Sequence, residues 1–388
     1  MSWKQVAIGE VAEIVSGGTP KSSVTEYWGG DVAWATPTDL SKLRGKHLVV
    51  TERSITEEGL SSCSAKVLPK KSVLFSSRAP IGLVAVNTLP TATNQGFKSF
   101  VPSDELDADF LFWWLKANRQ RLEDLGTGAT FKEVSKRVVS EVQIPLPPIE
   151  EQRRIAAILD KADGICHKRE QALELADEFL KSVFLEMFGD PLINSKSLPT
   201  KPLSDFGKIV TGNTPPRANP RNYGNHIEWI KSDNINTPKH LLTKSSEHLS
   251  KEGMQLGRTV PAGSILVICI AGSASSIGKV AIADRDVALN QQINAITPNA
   301  DVDQFFLYSQ FLVGQRLIQS ASTQSMKGMV SKGKFKEIEF LAPEPEEQQK
   351  FGRIFKKSLH NNNILREAHQ NSHNLFASLS QRAFQGKL

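Results

Sequence analysis

The sequence predicts an α+β chain of two tandem-duplicated heads, each of short strands plus a few helices and each followed by a long helix. The two long helices are expected to pair as a coiled coil. Three observations predict this. The chain has 388 residues, more than one ordinary domain holds. Two segments 195 residues apart repeat the same turn-forming residues. Each copy then closes with a long run whose apolar residues recur at helical spacing.

The repeat opens with "IVSGGTPKSSVTEYWGGDVAW" at Ile14 and "IVTGNTPPRANPRNYGNHIEW" at Ile209. Ile14–Leu40 aligns with Ile209–Ile235 without a gap, and seven of 27 residues match: Ile14, Val15, Gly17, Thr19, Pro20, Gly29 and Trp34. Glycine permits positive φ and proline fixes φ, so the repeat keeps backbone turns while surface chemistry changes. Further on, "TNQGFKSFVP" answers "LNQQINAITP". From Val134 to Gln152 the offset is 196, eight of 19 residues match, and the segment closes with "PPIEEQ" against "PEPEEQ". A register held this far marks a duplication, and two copies are too few for a solenoid.

Residues 1–150 and 191–345 form the heads; short runs rich in Gly, Pro, Val, Ile and Thr read as strands, and "DADFLFWWLKANRQRLEDL" reads as helix. Residues 151–190 and 346–388 form the long helices. Pro148 and two glutamates suit the first turn, where a missing N–H costs nothing and negative charge is favoured. Ile155, Leu159, Ala162, Cys166, Arg169, Leu173, Ala176, Leu180, Val183 and Met187 alternate steps of four and three, and only Arg169 is not apolar. That is a coiled-coil seam. The second copy places Phe351, Phe355, Leu365, Phe376, Leu379 and Ala383 on the seam, with Ser358, Asn362, His369 and Ser372 interrupting it. A seam needs a partner, and the other copy's helix is the nearest one. Each helix is predicted to be about 57 Å long.

A net charge of +6 and a pI near 9.1 suit an acidic partner such as nucleic acid. Cys63, Cys166 and Cys269 are few, odd in number and without a CxxC pair, which argues against a zinc ribbon and for a reducing compartment. No apolar leader is visible at the N-terminus, and the longest apolar run, Ile265–Ala271, is too short to span a bilayer. A cytoplasmic location and no membrane partner are expected. "GSASSIGKV" from Gly272 fails as a phosphate loop, having five residues between its glycines and Val280 where Ser or Thr should hold magnesium. No catalytic or metal-ligating cluster stands out.

The ordered set of motifs resembles the specificity subunit of Type I restriction–modification systems. The resemblance rests on the paired G-x-T-P turns, "IG-x-V-A" at Ile81 and Ile277, "PLPP-x-EEQ", "LEMFGDP" at Leu185, and "LSQRAFQGKL" at the end. It covers essentially the whole chain. It implies that each head is a target-recognition domain reading one half of a split sequence in double-stranded DNA. It implies that the long helices pack antiparallel and set the half-site spacing. It further implies docking of two modification subunits that carry S-adenosylmethionine and methylate adenine N6, with a restriction subunit that uses ATP and magnesium as an optional partner. The chain itself would bind no cofactor and catalyse nothing. A reading from another class is a coiled-coil scaffold whose heads bind proteins.

If the two heads read different sequences, shared residues should be scaffold and base-readers should differ. Trp34 and Trp229 are therefore expected in the core, and the shared Asn94-Gln95 and Asn290-Gln291 in a hydrogen-bonded turn. Shared Ser135-Lys136 and Ser331-Lys332 suit phosphate contacts. Candidates in the first head are Lys42, Arg44 and His47 in "SKLRGKH", Arg78 in "SSRAP", and Thr130 and Lys132 in "GTGATFK". In the second head they are Lys239, His240 and Lys244 in "NTPKHLLTK", Ser273 and Ser275 in "AGSASS", and Gln324 and Lys327 in "STQSMKG". Arg78 leads, because arginine bidentate to guanine is the commonest specific contact. Arg217 and Arg221 follow the second opening turn and suit phosphates.

Overall fold

The computed structural model describes residues 3–128, 132–235, 240–323 and 328–388. Candidates Thr130, Lys239, Gln324 and Lys327 lie outside the described residues. The chain divides into two compact units, Met1–Arg169 with Ala368–Leu388, and Glu170–Glu367. The divisions fall within the two long helices, Ile149–Phe188 and Pro345–Ala383, so each unit holds one head and a segment of each helix.

In the first unit a five-stranded sheet runs in the order Ala12–Ser16, Lys98–Pro102, Val73–Phe75, Val84–Asn87, His47–Leu48. A three-stranded sheet sets Trp28–Ala35 between Arg53–Ile55 and Ala92–Thr93. The second unit repeats the plan. Gly207–Thr211, Ile293–Pro298, Ile265–Ile268 and Val280–Ile282 form one sheet, and Tyr223–Ile230 lies between His248–Leu249 and Val287–Leu289 in the other. Even the registers repeat: Ile14 faces Phe100 as Ile209 faces Ile296, and Trp34 pairs in parallel with Ala92 as Trp229 does with Ala288. Both long strands break register at the same place, between Trp28 and Val32 and between Tyr223 and Ile227. The duplication read in the sequence is a duplication of backbone.

Each long helix is anchored to a head at its first turn. Gln152 is fully buried; it accepts from Asp107 N at 2.8 Å and donates to Glu105 O and Pro147 O at 2.8 Å. Gln348 likewise accepts from Asp303 N at 3.3 Å and donates to Pro343 O at 2.8 Å. Asp107 and Asp303 in turn cap Ala108–Ala117 and Gln304–Val313, so the shared glutamine of "EEQ" ties one helix start to another.

Within each unit the helix segments run antiparallel. In the first, Arg154 donates to Leu388 O at 3.2 Å, while Arg169 donates to Ala368 O and to the Ser372 hydroxyl. In the second, Asp177 accepts from Asn362 at 3.3 Å, and Phe184 and Phe188 meet Phe351. Two of the polar residues that interrupt the seams, Arg169 and Ser372, thus serve each other. A seam polar pair of this kind specifies register at some cost in stability.

Toward the heads the apolar seam residues become core. Ile155, Leu159 and Ala383 are fully buried in the first core, where Phe376 and Leu379 also pack and Phe376 lies 5.5 Å from Trp113. Leu180, Phe351 and Phe355 are buried in the second core, with Val183 and Met187 packed at its margin. Ala162, Leu173, Ala176 and Leu365 are half-buried.

Candidate nucleic-acid interface

Construction of the site starts at the opening turn. Gly17 lies across the Asn94 turn so closely that a Cβ there would sit 1.8 Å from Asn94 O; at Gly212 it would sit 2.0 Å from Asn290 O. Only glycine permits this crossing. The shared tryptophans brace the same turns from below, buried as expected: Trp34 Nε1 donates to Gly18 O at 3.0 Å and Trp229 Nε1 to Asn213 O at 3.3 Å. Asn94 Oδ1 accepts from Gly96 N and Asn290 Oδ1 from Gln292 N, both at 2.9 Å, closing an Asx turn in each head. At each turn an exposed glutamine is held by the shared threonine: Thr19 donates to Gln95 Oε1, and Thr214 to Gln291 Oε1.

The neighbouring strand end passes beside that turn. In the first head Ser77 N bonds Gly96 O at 2.7 Å and Val134 N bonds Ser77 O at 3.0 Å. In the second, Cys269 N bonds Gln292 O and Val330 N bonds Cys269 O, both at 2.8 Å. Ser77 and Cys269 are therefore equivalent, and so are Arg78 and Ile270, which bridge to Glu133 and Met329. Here the two heads diverge. Arg78 is half-exposed with Glu133 at 3.8 Å, and Lys98 donates to the same carboxylate at 3.1 Å. Exposed Lys132 lies beside Gly126 in the same loop. The second head instead runs into the turn Ala274–Ser276, where Ser273 just before it and Ser275 within it are exposed and share a 2.6 Å hydrogen bond. Gln315 donates to Ser275 O at 3.2 Å and to Ile277 O at 2.8 Å, fixing this loop.

Other candidates sit elsewhere. Lys42, Arg44 and His47 are exposed around the edge strand His47–Leu48, and Lys42 pairs with Glu52. The lysine of that loop which sequence reasoning passed over, Lys46, is buried against Asp160 and Asp109 at 2.8 and 2.9 Å, tying the loop to the long helix. Lys136 and Lys332 are exposed, but the hydroxyls of Ser135 and Ser331 accept from Val138 N and Lys334 N as helix caps. Arg221 is exposed beside a capping Asn219.

One expectation needs correction. His240, expected at the surface, is 2% exposed. Its backbone turns at φ 59°, which swings the ring inward, where Nδ1 meets Tyr308 OH at 3.0 Å and Nε2 meets Asp177 at 3.3 Å. Arg217 remains exposed as expected for a surface contact; it bonds Glu247 at 2.9 Å and lies over Tyr223 and Trp229, 5.1 and 5.2 Å from the ring centres. The first head builds the same stack with a cation from another place, Arg53 over Trp28 and Trp34.

Lys244 is exposed on a loop held by an ion pair. Arg285 donates twice to Glu228, at 2.7 Å each, and once to Thr243 O at 3.1 Å, while Ser245 N donates to Glu228 at 2.7 Å. The Arg285 hydrogen bonds hold the Glu228 carboxyl below the usual range, with Ser245 N adding to them against the cost of burial. A lowered pKa stabilises the fold above the ordinary carboxylate range, and that gain is lost as pH falls through the folded value. Glu228→Gln should therefore cost about 1.5–3 kcal/mol at neutral pH and progressively less in acid. Urea unfolding of both proteins from pH 7 to pH 3 measures this; a gap that does not narrow would rule out the ion pair as its source.

Among the described residues no three His, Cys, Asp or Glu side chains gather as a metal site, and no helix is long and apolar enough to cross a membrane. Burial pushes the Cys269 thiol up to about 12, so it is not a nucleophile.

The profile described as "Type I restriction modification DNA specificity domain" matches residues 1–175 and again 197–372. The chain is 33% identical over 232 residues to the MjaIX specificity subunit of Methanocaldococcus jannaschii, covering 55% of this chain and 54% of that protein. It is 28% identical over 184 residues to the EcoR124I/EcoR124II specificity subunit of Escherichia coli, covering 45% and 43%. The chain thus spans about half the length of the curated relatives it matches. Among solved structures it matches a chain from a study of complex assembly and conformational transition of the type I R-M system, at TM-score 0.62 and 18% identity over 100% of this chain and 98% of that one. It also matches the Type I restriction-modification system S subunit from M. genitalium, at TM-score 0.61 and 14% identity over 98% and 96%. With both halves matched by one profile and folded on one plan, the chain belongs to the Type I restriction–modification DNA specificity family.

Proposed function

We propose that this chain is the DNA-recognition component of a Type I restriction–modification system and that each head reads one half of a bipartite double-stranded target. One observation carries the reading. The same scaffold is built twice, and the polar residues that differ stand at the same place on it, Arg78 in one head and the Ser273–Ser275 loop in the other. A common frame with exchanged tips suits two half-sites of different sequence. In the first head Arg78 and Lys132 lead as contacts, with Lys42, Arg44, His47 and Lys136 on flanking surface. In the second, Ser273 and Ser275 lead, with Lys244, Arg221 and Lys332 flanking.

Catalysis belongs to partners on this reading. Modification subunits hold S-adenosylmethionine and methylate adenine N6, and a restriction subunit, where present, uses ATP and magnesium. The helices offer apolar docking points in exposed Ile165 and Leu375 of the first unit and Leu175, Phe179 and Ile364 of the second. The working compartment is the cytoplasm.

The test is retention on duplex DNA by the full chain assembled with its modification subunits, across a salt series. Affinity should fall linearly on a log–log plot with a slope of several, as phosphate neutralisation releases counterions. Methyl transfer should appear only with the partner present. Salt-independent or absent retention would favour heads that bind protein, and methyl transfer by the chain alone would overturn the division of labour.

A further inference from the structure

Gln95 and Gln291 are the least explained polar residues of the heads. Both are exposed, and both have the side-chain oxygen taken by a threonine of the opening turn. Neither side-chain nitrogen has a hydrogen-bond partner among the described residues. Buried glutamines in this chain use both ends: Gln310 accepts from Leu341 N at 2.7 Å and donates to Leu341 O at 2.9 Å. Fixing a glutamine side chain at a surface costs rotamer entropy, up to about 2 kcal/mol. The fold gains little from it at an exposed site, yet the arrangement is built twice.

The surroundings make the arrangement rigid. Gly18 N bonds Thr93 O at 2.9 Å, and Asn94 N bonds Ala35 O at 3.0 Å; Asn213 N bonds Leu289 O and Asn290 N bonds Ile230 O, both at 3.0 Å. The Asx turn and the glycine crossing complete the frame. The side-chain nitrogen is thus a pre-aimed donor next to the divergent position, with Arg78 packed against Gly96 in one head and Ile270 N bonded to Gln292 O in the other.

The chemistry narrows the acceptor. A glutamine reads adenine with both ends, donating to N7 and accepting from N6. With Oε1 occupied by threonine, only a donor remains. A lone donor suits a phosphate or sugar oxygen, which every sequence presents alike. We infer that Gln95 and Gln291 make one equivalent, sequence-independent hydrogen bond to the DNA backbone in each half-site, registering each head on the duplex. This rests on the DNA-recognition reading above.

The experiment compares the assembled complex carrying Gln95→Ala, Gln291→Ala, both, or Thr19→Val. Binding is measured on a duplex bearing the methylated motif of the wild-type complex and on a scrambled duplex. Each glutamine variant should weaken both duplexes by a similar factor, about tenfold, since the acceptor is charged. The double variant should lose more, thermal unfolding should not move, and the methylated motif should stay unchanged. Thr19→Val should fold normally and bind less well than wild type while keeping its glutamine. Loss confined to the motif duplex, or a changed base preference, would show that the glutamine reads a base and overturn the inference. Unchanged binding by the double variant would show a purely structural turn. If wild type itself fails to bind either duplex, the recognition reading falls, and this inference falls with it.

Discussion

Phe188→Ala is expected to cost the second unit about 3–5 kcal/mol. Phe188 ends the central helix and is 1% exposed, with Phe306, Phe184 and Phe351 rings centred 4.8, 5.1 and 5.8 Å away. It therefore joins the head's Gln304–Val313 helix, the central helix and the C-terminal helix in one aromatic cluster. The neighbourhood cannot collapse onto a smaller side chain easily. Gly189 turns the chain at φ 77° immediately afterwards, and a Cβ there would meet Ser195 Oγ at 2.4 Å. A domain's whole stability is of order 5–15 kcal/mol, so the loss is a large fraction of it. Hydrogen exchange locates it: amides of Ile265–Ile268 and Ile293–Pro298 should lose protection, while Val73–Phe75 of the first unit should not. Phe179→Ala on the same helix, 54% exposed, should change stability by less than about 0.5 kcal/mol. Equal effects from the two variants would show that the helix end is not core.

The architecture was legible because duplication preserved what the backbone needs. Gly17, Gly212, Trp34 and Trp229 stand where chains cross or turns are braced, and those demands tolerate few substitutes. The helix seam was legible only in part. Four–three spacing selects Val183 and Met187, but the fully buried residues are Leu180, Phe184 and Phe188, at steps of four. There the helix lies on a head as well as on the other long helix, since Phe184 and Phe188 meet both Phe306 and Phe351, and a straight helix drifts away from the 3.5 period. Arg169, Asn362 and Ser372 read as defects in single helices; their use appears only when the register between helices is known. His240 differs between the copies yet is buried, so divergence is not exposure. Divergence also arises where each head solves its own packing, as Arg53 and Arg217 do with cations from different segments. The Lys46 anchor carried no local pattern, since Asp160 lies 114 residues away.

Exchanging residues 1–150 for the corresponding head of another family member is expected to have the largest functional effect. The exchanged segment carries Arg78, Lys132, Gln95 and the whole first scaffold, and leaves Ser273, Ser275 and Gln291 in place. The first unit buries its own core around Phe75, Phe100, Trp113 and Leu159, and the second around Ile265, Phe306 and Phe351. Each head can thus change without repacking the other's interior. The shared Gln152 strut and the Ile155 and Leu159 contacts give the incoming head a familiar helix to sit on. A mismatch of even one base pair in a half-site costs about 1–3 kcal/mol, so a new half-site should exclude the old one almost completely. The deciding measurement is the methylated motif in DNA from cells carrying the exchanged chain with its modification subunit. One half of the motif should change to the donor's and the other half should remain as in wild type. A motif that changes in both halves, or in neither while methylation continues, would contradict two heads that each read one half of the target.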